Sequence, residues 1–285
     1  MRFGMNVPPG SHPRALVEAA RSRGCETVQI FSSNPRAWAL PRTGPDRDAQ
    51  VRELLEEADI HPLLLHTPYL VNIGAPDPDT YARSVATIVH AADRARRLDA
   101  YVVVHAGRTV GTDRTPALRR AAAAVLTALK LCPDTKILVE PTSGGRGSVA
   151  STIAETAELL ACVDDDRVGL CLDTCHLHVA GHDLSRPRSV RATLDEAHAA
   201  FGLSRVVAIH ANDAKDPAGS CRDRHESLGR GTIGAAGFRA FLSDPRLGHA
   251  AVVCETPGDI EEDRANVERA RTYARGTRRV DAPIA

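Results

Sequence analysis

The 285-residue chain is predicted to fold as a single (β/α)8 TIM barrel. Eight short β-rich runs alternate with longer helical stretches along its length. Several of these runs, among them YVVVH, KILVE, VVAIH and AVVCE, are continuously apolar rather than alternating. Such runs suit strands buried on both faces, as in a parallel sheet with helices outside it. Strict alternation of strand and helix favours a closed barrel over an open sheet. The length agrees, since such a barrel takes about 250 residues.

Strands are expected at residues 2–7, 27–31, 63–66, 101–105, 136–140, 168–174, 206–213 and 251–256. Helices are expected between them, including residues 13–23, 79–98, 115–131, 151–163 and 261–275. In the second of these, Val85, Ile88, Val89, Ala92 and Ala95 recur at three- and four-residue spacing, which marks one buried face. No low-complexity linker divides the chain, so one domain is expected over residues 1–285, with a frayed tail from about 277. The longest loops are expected at residues 32–45, 141–149 and 215–234. Long loops in a compact domain usually carry function.

The 36 basic side chains balance 36 acidic ones, so the basic excess common in nucleic-acid binders is missing. A basic rim around a carboxylate-rich centre would still bind DNA, and divalent metals would add charge that the count omits. Seven cysteines, an odd number with no CxxC pair, argue against a disulfide framework and fit a reducing cytoplasm. The N-terminal MRFGMNVPPG has no charged stretch followed by an apolar run, so no signal peptide is expected. No membrane span is expected either, for want of about 18 uninterrupted apolar residues.

The strand ends carry the chemistry. The third and fourth expected strands end in His66 and His105, and the fifth in Glu140. The sixth reaches Asp173, with His176 three residues on; the seventh reaches His210 and the last Glu255. The loop after the seventh adds Asp223 and His225. In a barrel the C-terminal strand ends meet on one face, where active sites lie. Singly, each residue has an ordinary use: a strand-end histidine packs, Asp173 or Glu255 caps a helix, Asp223 holds a turn. Together, ionisable groups at six apolar strand mouths would repel or stay unpaired unless something bound them. A metal cluster accounts for all of them. Imidazoles and carboxylates without thiolates suit zinc, and also manganese or iron. With one carboxylate bridging, these nine side chains suffice for three ions with positions left for water, which suits phosphoester hydrolysis. His12, His61, His90, His178, His182, His198 and His249 read as structural or solvated, and Cys171 as a buried apolar thiol. Neither a GxSxG elbow nor a phosphate-binding P-loop is present.

At these motifs the sequence resembles the endonuclease IV family of apurinic/apyrimidinic endonucleases, nearly from end to end. The matching stretches are HTPYLVNIG from His66, CLDTCHLHVAGHD around Asp173, HANDAK from His210, DRHESLGRGTIG from Asp223 and ETPG from Glu255. The resemblance implies a zinc-dependent hydrolase of base excision repair that cuts DNA 5′ to abasic sites. Its products would be a 3′-hydroxyl and a 5′-deoxyribose phosphate. The resemblance implies three zinc ions. His66, His105 and Glu140 would hold the first, and Glu140 would bridge to a second completed by Asp173, His210 and Glu255. His176, Asp223 and His225 would hold the third. Glu140 and Glu255 are then the carboxylates at the centre of catalysis. The first two ions would deliver a hydroxide to phosphorus, and the third would neutralise charge on the leaving oxygen. Tyr69, Leu70 and Arg36 match side chains that enter the base stack and hold the abasic nucleotide extruded. Backbone contacts are expected from Arg36, Arg42, Arg224 and Arg230. The implied partner is double-stranded DNA carrying abasic sites, and the implied state a cytoplasmic monomer without membrane contact.

At two positions the chain departs from the family pattern. His105 is followed by Ala106-Gly107 rather than Pro-Gly, and Glu140 by Pro141 rather than Asn. Both bear on outer contacts to the metal centre, not on the ligand set. Two other functions compete. A metal-dependent sugar isomerase or epimerase on a related barrel would also carry His, Glu and Asp at strand ends, but for one or two ions. The DRH element with His176 supplies a third set that it does not need. A non-catalytic binder of damaged DNA would be expected to have lost a ligand, and none is lost. Fold alone does not decide among these.

Overall fold

The continuous apolar runs form strands that hydrogen-bond on both edges and close on themselves. In the computed structural model, which describes residues 1–41, 44–109 and 113–275, eight parallel strands make the closed barrel. They are β1 (Arg2–Asn6), β2 (Thr27–Phe31), β3 (Leu63–His66), β4 (Ala100–His105), β5 (Lys136–Glu140), β6 (Val168–Asp173), β7 (Val206–His210) and β10 (Ala251–Cys254). A separate antiparallel pair, β8 (Asp213–Ala214) and β9 (His225–Glu226), lies in the loop after β7. The helices are α1 (Pro13–Ser22), α2 (Pro45–Glu57), α3 (Pro78–Leu98), α4 (Arg114–Leu131), α5 (Ile153–Val163), α6 (Thr174–Ala180), α7 (Pro187–Phe201), α8 (Gly234–Leu242) and α9 (Ile260–Ala274). Arg42 and residues 276–285 lie outside the described residues. Among the described residues, no helix is long and apolar enough to cross a membrane.

Four strands stop short of their expected ends: β1 by one residue, at Asn6, and three others for side-chain reasons. β6 yields to α6 at Asp173, whose carboxylate caps that helix by accepting the His176 N–H (3.0 Å). β7 ends at His210 because Asp213 turns away to pair with Glu226. β10 ends at Cys254 because the Glu255 N–H goes to Asn212 Oδ1 (2.7 Å) instead of a neighbouring strand. The helices carry the caps their sequences supply. Asp77 caps α3, Asp259 caps α9, and Thr152 with Glu155 forms a capping box on α5.

The core has two parts. Side chains of one strand parity, such as Leu63, Leu65, Val102, Val104, Ile137 and Val139, pack outward against the helices. Those of the other parity, Leu64, Val103, Leu138, Cys171, Ala208 and Val253, cluster with one another inside the barrel. This inner plug takes one residue from each of six strands, so the barrel is filled, not open. Gly4 on β1 pairs with Val253 and Thr27, and a Cβ there would come within 1.7 Å of the Thr27 carbonyl oxygen. Gly4→Ala is therefore expected to destabilise the barrel by about 3 kcal/mol or more, read from the urea midpoint. A change below about 0.5 kcal/mol would mean that β1 can shift to admit the methyl group.

Candidate metal centre

Two residues beyond each member of the plug stands a polar side chain. Leu64 is followed by His66, Val103 by His105, Leu138 by Glu140, Cys171 by Asp173, Ala208 by His210 and Val253 by Glu255. Residues two apart on a strand share a face, so the parity that builds the plug also projects these six groups inward, one layer higher. His176 arrives from α6, and Asp223 and His225 from the loop closed by β8 and β9.

Glu140 sits at the middle and is fully buried. Its Oε2 lies 3.1 Å from His66 Nε2 and 3.3 Å from His105 Nε2. Its Oε1 lies 3.1 Å from His210 Nδ1 and 3.3 Å from His176 Nδ1. One carboxylate thus faces four imidazoles. His210 Nδ1 is also 3.4 Å from Glu255 Oε2 and 3.9 Å from Asp173 Oδ2. Asp223 spans two rings, with Oδ2 3.1 Å from His176 Nε2 and Oδ1 3.0 Å from His225 Nε2. The donor atoms of His66, His105 and Glu140 all lie within 4.8 Å of one another, and so do those of His176, Asp223 and His225. His225 Nε2 is buried and, despite its closeness to Asp223, lacks a hydrogen bond of good geometry. With Asp223 at 3.0 Å and Asp173 at 3.7 Å, this nitrogen and the two carboxylates are donors of the kind that share a cation.

The electrostatics describe a site held together by opposite charges. Burial by itself would raise the Glu140 carboxyl, but His210 and His105 hold it well below the usual carboxylate range. Burial likewise opposes charge on His176, yet Asp173 and Asp223 push it well above the ordinary histidine value. For His210, against burial, the carboxylates of Glu255 and Glu140 raise the ring well above the ordinary histidine value. His225 is raised to about 9 by Asp223, Asp173 and Glu255, with burial opposing. Cys171 lies within reach of this cluster, but burial lifts its thiol to about 12, so it stays protonated.

Outer contacts aim the rings. The Nδ1 atoms of His66, His176 and His225 meet the backbone carbonyls of Thr67 (2.6 Å), Pro141 (2.9 Å) and Glu255 (3.2 Å). Each ring then presents Nε2 to its carboxylate neighbour. Pro141, one of the two departures from the family pattern, therefore contributes a carbonyl that orients His176. At the other departure, the Ala106 N–H donates to the Glu140 carbonyl (2.8 Å), a bond that proline could not make.

Three residues escaped the sequence reading. Asn212 Nδ2 donates to Asp173 Oδ2 (2.7 Å), and Gln29 Nε2 donates to Glu255 Oε1 (2.6 Å). Both are fully buried, and a glutamine inside the buried strand TVQIF was the available signal. Asp213 accepts the N–H groups of Gly229 (2.9 Å), Gly231 (3.0 Å) and Ile233 (2.9 Å), which folds DRHESLGRGTIG over the site. Gly231 is required there, because a Cβ would stand 2.3 Å from the Ala214 carbonyl oxygen. Asp213→Ala is expected to cost about 3 kcal/mol by stranding these donors, and to loosen Asp223 and His225. An unchanged melting temperature would show that the loop is held from elsewhere.

At the rim, Tyr69 is 61% and Leu70 37% exposed, so neither is ordinary packing. The Phe31 ring braces Tyr69 at 5.1 Å and His66 at 5.5 Å between centroids. The Tyr69 N–H donates to the Pro35 carbonyl (3.2 Å), which sets the Arg36 loop beside it. Arg224 is engaged by both oxygens of Asp216 (2.7 Å each), and Arg230 lies 3.4 Å from Glu262. His178 and His182 are structural, accepting the N–H groups of Leu184 and Ile153.

The xylose isomerase-like TIM barrel family matches residues 17–278. A Streptomyces coelicolor protein named "Probable endonuclease 4" is 38% identical over 95% of this chain and 93% of its own. This chain belongs to the endonuclease IV family. The crystal structure of endonuclease IV from Thermus thermophilus matches this family member with a TM-score of 0.86 at 33% identity, covering 96% of this chain and 99% of that one. Membership makes the chain a hydrolase of the endonuclease class. A D-tagatose 3-epimerase-like protein matches with a TM-score of 0.75 at 18% identity, over 96% of this chain and 97% of that one, which shows a common barrel and no more.

Proposed function

We propose that this endonuclease IV family member is a zinc-dependent enzyme of base excision repair that hydrolyses DNA 5′ to abasic sites. It would leave a 3′-hydroxyl and a 5′-deoxyribose phosphate, and act as a cytoplasmic monomer. The observation that carries the reading is the buried Glu140 carboxylate facing four imidazoles, with four further ligand-type side chains, Asp173, Asp223, His225 and Glu255, around it. The donor set fits zinc, since it is imidazole and carboxylate and leaves His225 Nε2 without a hydrogen bond. His66, His105 and Glu140 would hold one ion, Glu140, Asp173, His210 and Glu255 a second, and His176, Asp223 and His225 a third. Manganese or iron would suit the same donors. Bound metal would supply Lewis-acid activation of water and neutralisation of charge at the phosphate.

The chain's own residues do the rest. Glu140 and Glu255 stay ionised, which suits them to share cations. Tyr69 and Leu70 would fill the gap left by the missing base, and Arg36 beside them would enter the stack. An abasic nucleotide has no base pair to break, so its extrusion costs little. Replacing Tyr69 and Leu70 together by Ala is expected to weaken binding of an abasic duplex about tenfold or more, roughly 1.4 kcal/mol. Their exposure predicts almost no change in melting temperature. Equal affinity of variant and parent would remove them from the DNA interface.

The direct test is incision of a duplex carrying one tetrahydrofuran abasic analogue, with metal content measured by mass spectrometry on the same sample. The analogue cannot undergo β-elimination, so only hydrolysis cuts it. A cut 5′ to the site, with close to three metals per chain, is expected. No cut by fully loaded protein would overturn the reading in favour of sugar isomerase or epimerase chemistry.

A further inference from the structure

We propose that Gln29 is a positioning residue that decides which nitrogen of His210 faces the metal centre and holds Glu255 against it. This rests on the ligand reading above and deepens it. Gln29 is fully buried on β2, level with Leu64 of the plug. Its amide bridges two ligands of the implied second ion, with Nε2 2.6 Å from Glu255 Oε1 and Oε1 2.8 Å from His210 Nε2.

Hydrogen-bond chemistry leaves one arrangement. An ionised carboxylate only accepts, so the amide NH2 must face Glu255. Turned over, the amide would set two acceptor oxygens 2.6 Å apart. The amide oxygen is thereby left for His210, and it too only accepts, so the ring must carry hydrogen on Nε2. A neutral His210 then has its lone pair on Nδ1. That atom looks toward Glu140 (3.1 Å), Glu255 (3.4 Å) and Asp173 (3.9 Å).

His66, His176 and His225 solve the same problem in the opposite sense. Their Nδ1 atoms bond backbone carbonyls and their Nε2 atoms face the centre. His210 differs from these three in presenting Nδ1 and in owing its orientation to a side chain. A single substitution can therefore release it without moving the backbone.

The test uses zinc-loaded, 15N-labelled full-length protein and long-range 1H–15N correlation spectra of the histidine rings. His210 is expected to carry its hydrogen on Nε2 and zinc on Nδ1. Gln29→Met, similar in size but unable to bridge, is expected to release one zinc about 10–100-fold more readily in competition with a chelator. It should lower kcat with little change in KM, and it should broaden the His210 signals. Parental zinc affinity with an unchanged His210 pattern in Gln29→Met would reduce Gln29 to packing and overturn the proposal. Zinc on Nε2 of His210 in the parent protein would overturn it alone, even if the variant failed to fold, while leaving the ligand reading intact. Zinc that leaves the His210 ring unshifted would overturn the ligand reading and this proposal together.

Discussion

Glu140→Gln is expected to lower incision of an abasic duplex at least about a thousandfold while the barrel still folds. The substitution keeps shape and removes charge. Each Glu140 oxygen faces two imidazoles, so an amide nitrogen in place of either oxygen confronts two rings with a group that cannot serve as a ligand. On the proposed ligand set, two ions would each lose a donor. The folding argument is separate. The plug beneath is apolar, the β4–β5 register runs through five residue pairs, and the Glu140 carbonyl keeps its bond from Ala106. Far-ultraviolet circular dichroism should therefore match the parent. His66→Ala should likewise abolish incision by removing one ring from the first set. A variant at either position that cuts at the parental rate with a full metal complement would sink these roles.

The barrel was legible because its strands are short, apolar and bounded. The runs at β4, β5 and β7 could be read directly from YVVVH, KILVE and VVAIH. The strand ends were less legible, because side chains set them. HANDAK follows the apolar run at β7 with no glycine or proline to mark a stop, yet Asn212 and Asp213 turn their side chains to Asp173 and to the glycine loop. The short helix α6 was hidden for a related reason. Asp173, read from its position as a candidate ligand, also caps that helix. The convergence of the polar strand ends was foreseeable from parity once the barrel was assumed. Gln29 was not, because one polar residue in a buried strand means little until its partners are known. Those partners, Glu255 and His210, lie 226 and 181 residues away in sequence. Pro141 looked like a loss by its side chain, whereas its contribution is a carbonyl, which every residue has.

Stripping the metal is expected to reverse the pH dependence of stability between about pH 6.5 and 9. Without metal, His176, His210 and His225 carry protons at neutral pH, because burial is outweighed by their carboxylate neighbours. A histidine whose folded value is raised stabilises fully below its unfolded value of 6.5. That contribution fades as pH rises through the folded value, about 9 for His225. Glu140 and Glu255 act with the opposite sign. Their folded values are depressed, so their contribution is present above 4.5 and lost as pH falls through the lowered values. The metal-free cluster should therefore be most stabilising between about 4.5 and 6.5, and melting temperature should decline from there toward pH 9. Loaded protein should behave otherwise, because a metal ligand needs a bare ring nitrogen and protons compete with the ion. Its melting temperature should hold or rise over the same interval and lie above that of the stripped form, since each site adds about 4 kcal/mol of stability at a thousandfold excess over Kd. Adding zinc to stripped protein at pH 7 should release up to three protons per chain, one from each raised histidine. Calorimetry in buffers of different ionisation enthalpy measures that number. Stripped protein that gains stability from pH 6.5 to 9, or zinc uptake without proton release, would mean that these rings are already neutral, and that the carboxylates around them serve the metal rather than the protons.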